Sequence, residues 1–346
     1  MERLAHHALR GEVWEKALPY RRQAGAKAAT HPAYREAVAY FEQALAALRH
    51  LPERRDLWEQ AIDLQLDLRS AFLPLAAFER MGECLREAQA LAETLGDQRR
   101  LGRVLSYLAH LLQRLHEYDH AIASGYDALT IAVDLGDLGL QVTTNFFLGQ
   151  IHSGLGDYRE AAQYFRSIVN SLEGDRLHDR FGMVALPAVQ ARSFLAGCLA
   201  VLGAFAEAVI YAEDAVRIAE AVDHSYSLID ASLRVGHLYR HKGNVDKAIP
   251  AYEHSRALIQ DANIPVLHIN TTFGLRAAYV LSGPVAAAIP LLEQAVEQAI
   301  AMPFMPIYSQ RLAVLSEAYV LAGAAWMKRC GMPSMPWSLP VVSGIR

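Results

Sequence analysis

The sequence predicts an all-α fold, a solenoid of helix–turn–helix repeats each about 40 residues long. Three observations carry this. A short turn segment recurs at nearly constant spacing, small residues recur at fixed offsets on either side of it, and Ala and Leu dominate a chain with only 9% aromatic residues. Such a composition favours helices that approach closely through small side chains. With 53% apolar residues there is ample material for a core.

The first elements are read from seven-residue steps of alanine, Ala17/Ala24 and then Ala37/Ala44. From there the turn segments set the frame: AAFERM, HEYDHA, GDYREA, GAFAEA, GNVDKA and GPVAAA begin at Ala76, His116, Gly156, Gly203, Gly243 and Gly283, with steps of 40, 40, 47, 40 and 40 residues. A seventh turn is expected at Gly323, after another 40. Twelve residues before Ala121, Ala161, Ala208 and Ala248 stand Ala109, Gly149, Ala196 and Gly236, and seven residues after them stand Ala128, Ile168, Ala215 and Ser255. A small residue on each of two antiparallel helices lets their backbones approach, with leucines filling the flanks. The turn residue supplies the left-handed backbone that reverses the chain. Arg276 stands at a small-residue position and is expected to snorkel outward. The 47-residue step holds seven extra residues between Ser171 and Pro187, either a functional connection or a plain linker.

This spacing of small residue, turn, aromatic and Ala resembles the tetratricopeptide repeat, lengthened by about six residues over the common 34. The resemblance covers residues 1–323 and implies a right-handed α-α superhelix. Segments such as YREAVAYFEQALAAL, LREAQALAETLGDQRRLG and AVRIAEAVDHSYSLI are similar to the C-terminal arm of bacterial signalling ATPases, many of which begin with a class III nucleotide cyclase domain. The chain has no GxxxxGK[ST] and nothing like a cyclase, so the resemblance implies the sensor or partner-binding arm alone.

Residues 324–346 are expected to lie outside the repeats: Pro333, Pro336 and Pro340 fall where a second helix is due. Back-translated one base out of frame, the segment restores alanines in the register of the repeat, so a frameshift near codon 324 is expected. An incomplete last pair would expose an apolar end open to self-association.

Several function classes are disfavoured. Net charge is −4 with interspersed signs and no basic stripe, against nucleic-acid binding. No apolar run approaches the roughly 20 residues of a membrane span, and the N-terminus does not read as a signal peptide. Three distant cysteines, Cys84, Cys198 and Cys330, fit a reducing cytoplasm rather than disulfides or a zinc ribbon. His116-Glu117-Tyr118-Asp119-His120 matches HExxH, but it overlies a turn and lacks a third ligand; His237 and His241 are likewise without further ligands. No catalytic residue, metal or cofactor is expected.

A partner is expected on the first helix of each pair, which lines the concave surface if the geometry of the resembled family holds. Six residues before the small position stand Arg103, Thr143, Gln190, Asp230, Asn270 and Gln310, all polar; one residue after it stand His110, Gln150, Gly197, His237, Ala277 and Glu317. Such a ladder suits an extended peptide or loop, registered by hydrogen bonds. The expected function is thus a non-catalytic interaction or regulatory module, with a small-molecule-sensing arm as the alternative.

Overall fold

The computed structural model describes residues 13–30, 33–183, 185–262, 265–282, 289–290, 292–294, 296–297 and 306–329. The backbone is helical, and among these residues there is no strand. Six pairs follow in order: α1 (Trp14–Thr30) and α2 (Tyr34–Leu48), α3 (Arg55–Phe72) and α4 (Phe78–Leu95), α5 (Gln98–Arg114) and α6 (Tyr118–Asp134), α7 (Leu138–Leu155) and α8 (Tyr158–Ser171), α9 (Pro187–Val201) and α10 (Phe205–Ala221), α11 (Ser225–His241) and α12 (Val245–Ala262). Further helices include α13 (Pro265–Ser282) and α14 (Pro306–Arg329), and the described residues of 289–297 are helical as well. The chain forms two compact units, Met1–Arg234 and Val235–Arg346, divided within α11.

Both kinds of turn have a physical cause. Within pairs, Ala76, His116, Gly156, Gly203 and Gly243 have φ of 53°, 62°, 88°, 80° and 74°. The residue after each donates its N–H to a carbonyl five back, as in Glu117→Leu112 at 2.9 Å and Ala204→Leu199 at 2.8 Å. This Schellman closure satisfies carbonyls that the helix end leaves open. Between pairs a second series does the same at Gly96, Gly136 and Asp223, which the expected repeat pattern did not include. There Asp97 and Asp137 cap the next helix, accepting from the N–H of Arg100 at 3.0 Å and of Leu140 at 3.1 Å.

The small-residue register is the core itself. Ala121, Ala161, Ala208 and Ala248 are fully buried. A methyl added at Gly149 would lie 2.7 Å from the Phe165 ring, and one at Gly25 would lie 2.6 Å from that of Phe41. In the repeat of α5 and α6 the exchange is reversed: Ala109 stands where Gly149 does, and Gly125 takes the place of the ring.

In Val235–Arg346, the Tyr252 ring is clamped by Gly236 and Gly274, 2.6 and 2.4 Å from where their Cβ atoms would lie. Gly274 therefore supplies the close approach on α13, and Arg276 is free to turn outward, its Nη2 3.5 Å from Gln294 Oε1. Tyr279 donates to Glu253 at 3.0 Å, and Tyr319 repeats the contact with Glu293 one 40-residue step later.

The expected turn at Gly323 does not form. Gly323 lies inside α14, which runs on to Arg329. Ala324, Ala325, Met327, Lys328 and Arg329 are good helix formers, and their summed preference outweighs the roughly 1 kcal/mol that one interior glycine costs. Gly283 and residues 330–346 lie outside the described residues.

The extra residues of the 47-residue step form a strap. After α8 a 3-10 turn, Gly174–His178, leads to Phe181, whose ring covers Gly139 at the start of α7. Arg180 donates to His224 Nε2 at 2.7 Å, and the Leu186 N–H donates to Ser227 Oγ at 2.9 Å, so the strap also ties down the start of α11.

Candidate partner-binding face

The first helices of successive pairs pack against one another, α5 on α7 and α7 on α9. Each presents a stripe at helical spacing i, i+4, i+7. On α5 the stripe is Arg103, Tyr107, His110 and Arg114; on α7 it is Thr143, Phe147 and Gln150; on α9 it is Gln190, Phe194 and Gly197. Asp230 and Arg234 continue it on the start of α11.

The polar column is uneven in exposure. Arg103 is exposed, with Nη1 3.4 Å from Asp63 Oδ1 on α3. Gln190 is half-buried, while Thr143 is buried and donates to the Gly139 carbonyl of its own helix at 2.9 Å. Asp230 is 5% exposed; its Oδ1 lies 3.7 Å from Arg234 Nε, and its Oδ2 has no hydrogen-bond partner. Burial raises its carboxyl above the usual range, against the opposing charge of Arg234.

Of the second column, His110 is buried and stacked on Phe147 at 4.5 Å, and Gln150 is half-buried. His237, in Val235–Arg346, meets the Tyr252 ring edge-on at 5.6 Å. In that unit Asn270 is half-buried and Glu317 exposed, and the side chain of Gln310 lies outside the described residues.

Between the two polar columns runs a third that the sequence reading passed over: Tyr107, Phe147, Phe194 and Arg234. Tyr107 and Phe147 are 6.2 Å apart, Phe146 bridges from Phe147 to Phe194 at 6.2 and 5.3 Å, and the Arg234 guanidinium lies 3.9 Å over Phe194. At the other end, the Arg69 guanidinium covers Tyr107 at 4.3 Å. The aromatic rail is therefore bracketed by two cations over ring faces. The column stands four residues after the first polar one and three before the second, the spacing of a single helix face.

A cavity of about 370 Å³ lies between α8, α9 and α10, lined by Val169, Arg192, Ile210, Asp214 and Arg217 among others. Arg192 Nε donates to Asp214 at 2.5 Å, and Arg217 also bonds Asp214. Four of its seven lining residues, Arg192, Glu213, Asp214 and Arg217, are charged.

In the HExxH segment, His116 precedes α6 at φ 62° and contacts Tyr118 Oη at 3.3 Å, whereas His120 is inside α6 and contacts Glu117 at 3.4 Å. Among the described residues no group of three His, Cys, Asp or Glu side chains is placed to hold a metal. Burial pushes the Cys84 thiol up to about 12 and raises that of Cys198, so neither is an activated nucleophile. Among the described residues no helix is long and apolar enough to cross a membrane.

Comparison with known proteins identifies tetratricopeptide repeats at residues 100–173 and 229–255. No curated protein matches the chain. Among solved structures it is similar to a Rap protein complexed with competence and sporulation factor, at 15% identity and a TM-score of 0.58, covering 90% of this chain and 88% of that one. It is similar also to the Rap conjugation gene regulator of plasmid pLS20 in complex with the Phr* peptide, at 17% identity and a TM-score of 0.61, covering 90% and 74%. A third is a signal transduction ATPase with a tetratricopeptide repeat sensor from Pyrococcus horikoshii, at 12% identity and a TM-score of 0.51, covering 86% of this chain and 53% of that one. At these identities the likeness is one of fold, the tetratricopeptide-like helical repeat solenoid.

Proposed function

We propose that this chain is a non-catalytic interaction module that takes an extended peptide or a loop of a partner protein along the stripe of its first helices. One observation carries this: on α5, α7, α9 and the start of α11, polar side chains flank an aromatic rail at one helical spacing. Rings give contact area at low entropic cost, while Arg103, Gln150 and Gln190 offer hydrogen bonds for register. That the Rap structures were solved with a sporulation factor and a peptide supports the same use of the fold. We place the module in a larger cytoplasmic signalling protein of ATPase or cyclase type; of this reading, only the ATPase part draws support from the likeness in fold to a signal transduction ATPase that carries a tetratricopeptide repeat sensor. The concave side of the solenoid is the proposed seat, and the α14 end a proposed surface for self-association. The second reading, a small-molecule-sensing arm, is favoured by the cavity between α8, α9 and α10.

The test is capture from cell extract by the full chain beside an Arg103→Glu, Gln190→Lys variant. Both positions retain exposed surface, whereas a lysine at the buried Asp230 would unfold the site. A partner lost by the variant supports the stripe. A partner retained by it, or a small metabolite that raises the melting temperature of both proteins equally, moves the function to the cavity.

A further inference from the structure

Along the stripe, a side chain of one repeat meets a side chain of the next. The His110 imidazole on α5 stacks on the Phe147 ring of α7, with centroids 4.5 Å apart and planes within 9°. The same sequence step from Gly197 on α9 arrives at Arg234 on α11. There the first partner has no side chain. Gly197 is half-buried, and a Cβ built on it meets nothing within 4 Å. Gly149, Gly236 and Gly274, by contrast, each press against a ring, so their lack of a side chain serves packing. That of Gly197 serves no contact within the chain; it leaves space on the partner face.

The groups beside this space are loosely held. The Arg234 guanidinium lies over the Phe194 ring at 3.9 Å. Its Nε has no hydrogen-bond partner and stands 3.7 Å from Asp230 Oδ1, beyond bonding distance. Asp230, one helical turn earlier and 5% exposed, keeps its Oδ2 without a partner. Buried polar groups are normally satisfied, so a slack pair bordering an open position calls for something that completes it.

We propose that the space before Gly197 is a binding site for a planar aromatic side chain of the partner peptide, seated on Arg234 as His110 is seated on Phe147. The inference rests on the reading that a peptide or loop follows the stripe, and it names the chemistry of one residue of that ligand. Arg234 and Asp230 carry opposite charges side by side, so neither a lone anion nor a lone cation is called for. A guanidinium has two π faces, and Phe194 takes one of them. An aliphatic group would gain contact area only, whereas a ring adds attraction to the cation. Closing over the pair, the ring also shields it from water and strengthens it. The aromatic rail that stops at Arg234 is thereby continued by a ring that the ligand brings.

The test titrates the full chain with indole, and with cyclohexanol as the aliphatic control, followed by amide NMR shifts. Saturable shifts at Gly197 and Arg234 with indole are expected, and binding of cyclohexanol about fivefold weaker. Gly197→His supplies from within the ring that the ligand brings. It should fold with an undiminished melting midpoint, because its Cβ meets nothing and glycine is the poorer helix former, and it should no longer bind indole. Arg234→Lys keeps the charge but removes the planar face, and should weaken indole by about fivefold. Equal affinity for cyclohexanol, or undiminished indole binding in Gly197→His, would overturn the site. If that happens while a partner from extract is still lost by Arg103→Glu, Gln190→Lys, the peptide reading stands and only this site falls. Indole binding with no partner captured supports the site and counts against the peptide reading.

Discussion

Burial of a histidine between two arginines sets a pH dependence at the residue scale. Burial first, then the charges of Arg69 and Arg114, hold His110 well below its usual range. The unfolded chain binds that proton near pH 6.5 and the folded one does not, so acidification favours the unfolded state. Stability should fall by about 1.4 kcal/mol per pH unit below 6.5 from this group. Chemical denaturation at pH 7.5 and 5.5, compared with His110→Phe, isolates it: the variant keeps a ring on Phe147 and should lose that part of the slope. Arg69 acts in the same sense, at higher pH. Burial lowers it to about 10, so at neutral pH its charged form weakens the fold, and Arg69→Met should stabilise by roughly 1–3 kcal/mol. Ala76 holds φ 53° without being a glycine. Ala76→Gly should therefore stabilise by about 0.5–1 kcal/mol, read as a shift in denaturation midpoint.

At the scale of the helix pair, the close contact of Gly149 with Phe165 reverses a familiar rule. An alanine in a helix interior is normally better than glycine by about 1 kcal/mol. Here the added methyl would sit 2.7 Å from a fully buried ring, and Gly149→Ala should destabilise by about 1–3 kcal/mol. A stabilised variant would mean that α7 and α8 can separate without loss. How much of this was legible depends on the element. The turns at Ala76, His116, Gly156, Gly203 and Gly243 were read because each must adopt a left-handed residue, and that need leaves a mark at fixed spacing. The second turn series at Gly96, Gly136 and Asp223 leaves a fainter one, since Asp223 replaces the glycine and the strap replaces one turn altogether. Gly323 misled because a glycine is permissive rather than obligatory for turning. The aromatic rail was missed although Tyr107, Phe147 and Phe194 share one register, because ring positions in a helix usually report core packing.

For the molecule as a whole, a repeat that touches chiefly its sequence neighbours keeps perturbation local. Phe165→Ala, which empties a fully buried position, should cost about 3–5 kcal/mol. Hydrogen exchange should show protection lost across α7, α8 and α9 and retained in α1 and α2; loss spread evenly through the chain would mean a single cooperative core. The sequence by itself determined the helical repeat, its 40-residue period, the small residues at each close approach and the place of the seven-residue insertion. These are properties of one turn or one helix pair, and each repeats often enough to stand above chance. Only the tertiary structure decided that Gly274 rather than residue 276 meets the Tyr252 ring, that the insertion straps α7 to α11, and that Arg69, His110 and Arg114 converge. Those facts depend on where side chains of different repeats meet, and a period along the chain carries no record of the angle at which one pair packs on the next.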